Sequence, residues 1–175
     1  MDPSIVIGLG NPLRGDDAVG LHVVRRLRPL LADWPEISVE ECQRGGLRLM
    51  ERLEGYRIAF LIDALVSGAR PGSLAWLPID GLPTHNSTSS HDVNLPTALA
   101  IGRLAGAHLP ADDQMHILGI EIQQCDEFGE SLSHRVAEAI DPAVQAALAN
   151  IHWLTRPGSP QLPRLHSAAC RYPAR

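Results

Sequence analysis

The stretch Ser4–Gly20 reads SIVIGLGNPLRGDDAVG. It opens with a short, apolar and β-branched run, Ser4 to Leu9, which a Gly-Asn-Pro turn signal closes. From Asp17 onward, Val19, Val23 and Leu27 recur at helical spacing, with Arg25, Arg26 and Arg28 on other faces and Pro29 as the expected stop. Strand, polar loop and amphipathic helix in that order make the opening unit of an α/β domain. The loop does not suit a dinucleotide. A GxGxxG fingerprint needs glycine at position 13, where Leu13 stands, and Asp16 and Asp17 already occupy the helix start with the negative charge a phosphate would bring.

The rest of the chain repeats the pattern. Glu36 to Glu40 alternates as a second strand, the Arg44-Gly-Gly loop follows, and Leu47 to Leu53 suggests a short helix. Arg57-Ile-Ala-Phe-Leu-Ile is the strongest strand signal and ends on Asp63. Leu74-Ala-Trp-Leu follows an Arg-Pro-Gly-Ser turn as a further strand, and Asp92 to Ala105 reads as a helix with Pro96 in its first turn. Met115 to Ile122 gives the last strand and Ser131 to Asn150 the last helix. Strands alternating with helices predict a three-layer α/β sandwich, a mostly parallel twisted sheet of about five strands flanked by helices. Residues 1–155 are expected to form one domain. The proline-rich stretch 156–175 lacks periodicity and reads as a loose tail.

Composition narrows the function. The 175 residues are 45% hydrophobic and 20% charged, enough for an ordinary core, and carry a net charge of −5. Acidic balance disfavours nucleic acid, which needs clustered Lys and Arg. Apolar runs are too short to span a bilayer, so a cytoplasmic protein with no membrane partner is expected. Cys42, Cys125 and Cys170 are scattered, and form neither a disulfide framework nor a CxxC clip.

In an open parallel sheet, ligands bind beyond the carboxyl ends of the strands. Three polar features fall there: the Asn11 to Asp17 loop, Asp63, and the loop that ends in His91. Capping the first helix needs one side-chain acceptor, so one carboxylate of the Asp16–Asp17 pair is left to face the cleft. Two carboxylates and one imidazole make a site for a borderline divalent cation, open because three protein ligands leave room for water or substrate. A Ser-His-Asp reading lacks the GxSxG elbow.

Taken together, GLGNPLRGDDAVG, Asp63 in Leu-Ile-Asp-Ala-Leu with the following Pro71-Gly72, and His91 in Ser-Ser-His-Asp-Val-Asn-Leu resemble the NiFe-hydrogenase maturation endopeptidases. The likeness runs from about Ile5 to Leu148. It implies a phosphorylase/hydrolase-like fold and a monomeric cytoplasmic enzyme that removes a C-terminal extension from the hydrogenase large-subunit precursor after nickel insertion. It further implies that Asp17, Asp63 and His91 contact the nickel held by the precursor, with no metal bound permanently by the protease. Asp16 would then cap the helix. Asp17 and Asp63 are the candidates for activating the attacking water, and Asn11, Arg44 and Gly45 for contacting substrate. After the second strand the chain reads Cys-Gln-Arg-Gly-Gly-Leu, where many relatives carry a Gly-Gly-Thr-like loop.

Other readings compete. The same three ligands would serve a non-catalytic, nickel-dependent binder of the precursor, or a free-standing zinc peptidase. GLGNP also resembles the opening of peptidyl-tRNA hydrolases, but Leu13 replaces the glycine that continues that motif, and His22 falls one position beyond the catalytic histidine.

Overall fold

The computed structural model describes residues 2–81, 93–123 and 128–155. Five strands form one sheet: β1 (Ser4–Leu9), β2 (Ile37–Cys42), β3 (Ile58–Leu65), β4 (Leu74–Leu77) and β5 (Met115–Glu121), in the order β2-β1-β3-β5-β4. β1, β2, β3 and β5 run parallel, and β4 pairs antiparallel with β5. The helices are α1 (Val19–Leu30), α2 (Gly46–Leu53), α3 (Leu95–Leu104), α4 (His134–Glu138) and α5 (Ile140–Leu154). The expected mostly parallel sheet is therefore present, helices covering both faces.

Strand alternation divides the core into two layers. On one face Val6, Phe60, Ile62, Leu118 and Ile120 pack against Val23 and Leu27 of α1 and Val144 and Ile151 of α5. On the other, Ile5, Ile7, Ala59, Leu61 and Ile117 pack against Leu49 and Leu53 of α2 and Leu95 and Leu99 of α3. β1 and β3 are buried on both sides, which explains their unbroken apolar runs.

The chain passes from β1 outward to β2, then crosses back over β1 to β3. Direction thus reverses between β1 and β3, and the carboxyl ends of these two strands flank the switch point where open α/β sheets bind ligands. Gly20 lets α1 start directly above that gap. A side chain there would be driven into the backbone carbonyl oxygens of Leu9, at the end of β1, and Ile62, in β3.

Several boundaries differ from the sequence reading. Gly15–Ala18 forms a 3-10 turn before α1, and α1 continues one residue past Pro29, because a proline in the last turn forfeits only one helical hydrogen bond. The expected last helix is two, α4 and α5, broken at Ala139. β3 continues two residues beyond Asp63, which is therefore a strand residue and not a turn residue. Pro96 lies in the first turn of α3 as expected, with Asn94 accepting a hydrogen bond from the Thr97 N–H at 2.9 Å. The tail predicted for 156–175, Cys125 and Cys170 lie outside the described residues.

His116 of β5 carries a pH-dependent term. Its ring stacks on Phe60 with centroids 5.3 Å apart, and Nε2 is buried with no hydrogen-bond partner among the described residues. Burial lowers its pKa to about 4, against a small opposing effect of Asp113. Above pH 6.5, the ordinary value, the imidazole is neutral folded and unfolded, and the native state keeps its full stability. As pH falls from there towards about 4, only the unfolded chain takes up the proton, so about 3 kcal/mol of stability is lost. Urea unfolding at pH 7 and pH 4.5 measures the loss. His116→Leu is expected to flatten the slope, and an unchanged slope in that variant would assign the loss elsewhere.

Candidate active site at the β1–β3 switch point

The loop after β1 turns back on itself through its own hydrogen bonds. The Asn11 side-chain oxygen accepts the Leu13 N–H at 3.0 Å, and the Asn11 backbone N–H donates to Asp17 Oδ2 at 2.8 Å. Asp17 is half-buried, and burial raises its carboxyl pKa above the usual range, with the Asn11 N–H and the Arg14 charge pulling the other way. Bare charge at this position is costly, and a cation would offset that cost.

Asp63 is 3% exposed, beside Gly119 of β5 in the ladder. Alternation puts it on the face of Ala59 and Leu61, towards α2 and α3, and its Oδ1 accepts the Ala64 N–H at 2.8 Å. Gly20, three residues after Asp17, rests on the backbone carbonyl of Ile62, the residue before Asp63. The end of β2 belongs to the same edge, since the Gly10 N–H donates to the Cys42 carbonyl at 3.3 Å.

The Arg44-Gly-Gly loop follows. Arg44 is exposed, Gly45 half-buried, and Gly46 packs so closely on Val93 that a Cβ would lie 2.7 Å from its carbonyl oxygen. The loop thus meets the residue just before the cap of α3. His91 lies outside the described residues, and among these no three His, Cys, Asp or Glu side chains come together as a metal site. Asn11 and Asp17 thus lie in the loop after β1, Asp63 near the carboxyl end of β3, and Gly45 in the loop after β2.

Two findings were not foreseen. Asp16 does not cap the helix that it precedes: both its oxygens bond Ser133, 117 residues along the chain. Glu121, 1% exposed at the end of β5, accepts the Ser67 hydroxyl and the N–H groups of Ser67, Gly68 and Ala69 at 2.8 to 3.1 Å. It moulds the loop that leaves β3 just past Asp63. Its only sequence signal is a carboxylate closing an apolar strand, where an unpaired charge would be costly. A cavity of about 540 Å³ beside Tyr56, His108 and Gln114 opens at the amino ends of β3 and β5, away from these carboxylates.

The sequence model of the hydrogenase maturation protease family (HycI) matches residues 21–150. The chain belongs to this family. The match begins at Leu21, after the Asp16–Asp17 loop, so it supports membership independently of that motif. Among relatives, the chain is 26% identical over 151 residues to the hydrogenase expression/formation protein HupD of Thiocapsa roseopersicina, covering 84% of this chain and 67% of that protein. It is 28% identical over 150 residues to the hydrogenase 2 maturation protease of Escherichia coli, covering 83% and 88%. The fold is similar to the E. coli hydrogenase maturating endopeptidase HybD, with a TM-score of 0.70 over 87% of this chain and 93% of that one at 24% identity. It is also similar to the hydrogenase maturation protease HycI of Thermococcus kodakarensis, at a TM-score of 0.64, 19% identity and coverage of 86% and 93%. As a hydrogenase maturation protease the chain is a peptide hydrolase acting on a protein, and the switch-point carboxylates are its candidate machinery. No helix among the described residues is long and apolar enough to cross a membrane.

Proposed function

We propose that this protease removes the C-terminal extension of a NiFe-hydrogenase large-subunit precursor once nickel has been inserted, and that the nickel arrives as part of the substrate. The observation that supports the reading is a half-buried carboxylate, Asp17, in the loop after β1 and a buried one, Asp63, in the neighbouring strand β3 of a maturation-protease fold. Asp17 and Asp63, with His91 preceding Val93 in the sequence, supply the oxygen and imidazole donors that suit a borderline divalent cation. Cation arrival offsets the desolvation of Asp17, so the site favours a precursor that carries its metal over one that does not.

In the hydrolysis, water adds to the scissile carbonyl, the C–N bond breaks, and the amine leaves with a proton. Asp17 or Asp63 accepts the proton of the attacking water as general base, and the carboxylic acid so formed protonates the departing amine. A bound cation lowers a carboxylate's pKa, so the residue that holds the cation more closely is the poorer acceptor of the water proton. Asn11, Arg44 and Gly45 border the site and are the proposed contacts to the peptide on either side of the scissile bond.

The test is an intact-mass assay of a nickel-loaded precursor. Wild type is expected to release one C-terminal peptide, while Asp17→Asn and His91→Ala slow release on the order of 10²-fold or more with the fold retained. Tight association with the precursor and no shortening by wild type would favour the binder reading. Stoichiometric metal in the purified protease would favour the free-standing zinc peptidase.

A further inference from the structure

Asp16 has no part in that chemistry, yet it is 7% exposed and fully engaged. Its Oδ1 accepts the Ser133 N–H at 2.6 Å and its Oδ2 the Ser133 hydroxyl at 2.8 Å. Ser133 stands at the N-cap of α4 but makes no side-chain capping bond to its own helix. A residue of ordinary capping type instead points its hydroxyl at a loop far away in sequence. The same two segments also join through their backbones: the Gly129 N–H donates to the Leu13 carbonyl at 3.0 Å and the Gly15 N–H to the Gly129 carbonyl at 2.5 Å, an isolated parallel bridge.

Four hydrogen bonds therefore fasten the stretch Leu13–Asp16 to Gly129–Ser133, and Asp17 follows immediately in the same 3-10 turn. On its other side Asp17 is held by the Asn11 N–H. We propose that the Asp16–Ser133 pair is a positioning clasp for the reaction, which fixes the backbone of the turn so that the Asp17 carboxylate stays in register with Asp63. Adjacent residues in a hydrogen-bonded turn share their freedom: with Asp16 anchored, Asp17 keeps only its own side-chain torsions. The clasp also explains two neighbouring carboxylates at this point, one anchored to protein and one turned to substrate. The inference rests on the proposed role of Asp17.

Ser133→Ala removes one bond and leaves the backbone one, so the variant is expected to fold, and Asp16→Asn removes the charge. Both are expected to lower kcat on a nickel-loaded precursor about tenfold with KM within about twofold, the mark of misplaced reacting groups rather than lost substrate binding. In ¹H–¹⁵N spectra the Asn11 amide resonance should move towards its position in Asp17→Asn, because that N–H bonds Asp17 directly. Ser133→Thr, which keeps hydroxyl and N–H, should restore both. Wild-type kcat in Ser133→Ala and Asp16→Asn, or a lost kcat with the Asn11 resonance unmoved, would overturn the proposal, leaving a plain staple. Absence of cleavage by wild type would sink the functional reading instead. The Asn11 resonance alone would then decide whether Asp16 and Ser133 position Asp17.

Discussion

Asp63→Asn is expected to slow precursor cleavage on the order of 10²- to 10⁴-fold while leaving the fold in place. The substitution is nearly isosteric, and an asparagine carbonyl oxygen can still accept the Ala64 N–H that Asp63 Oδ1 accepts at 2.8 Å. Negative charge is what disappears, and with it both the attraction for a cation and the ability to take a proton from water. A carboxylate at 3% exposure inside a strand otherwise packed with apolar residues is costly to maintain for packing alone. Thermal unfolding followed by circular dichroism separates the two effects. A melting temperature close to wild type with cleavage lost supports the role; undiminished cleavage would remove Asp63 from the mechanism.

Gly20→Ala is expected to damage the fold. In an exposed helix, alanine gains about 1 kcal/mol over glycine. Here its methyl would be forced against the carbonyls of Leu9 and Ile62, which are backbone atoms of two central strands and cannot turn aside. The start of α1 must lift off the sheet, at a cost of about 3 kcal/mol. For a chain of this size that lowers the melting temperature by about 6–12 °C. Because the same lift separates the turn carrying Asp17 from β3, cleavage at temperatures where the variant remains folded should fall too. A melting temperature at or above wild type would show that the close approach is not needed.

These residues mark how far the sequence could be read. Hydrophobic period, Gly-Asn-Pro punctuation and β-branched runs located all five strands, since β1, β3 and β5 are buried along nearly their whole length and β4, though only half-buried, is apolar throughout. The parallel topology followed from the alternation of strands and helices. What depends on distant partners was not legible. Asp16 looked like a helix cap because local capping is the common fate of an acidic residue at a helix start, and only the fold brings Ser133 to it. Gly20 read as one more glycine in a motif, although its packing against β1 and β3 sets the geometry of the switch point. Glu121 passed unnoticed because a strand-closing carboxylate looks solvent-facing until a loop folds its amides over it. Asp63 was recognised by its type and neighbours, but its place inside β3, and hence its burial, came from the ladder with β5.

On the proposed function, a protease of this fold cuts a precursor whose metal completes its site. The most direct measurement is the mass of one hydrogenase large-subunit precursor incubated with wild-type protein, with and without its nickel. A single discrete loss at the C-terminus is expected from the nickel-loaded precursor and none from the nickel-free one. Equal cleavage of both would contradict it.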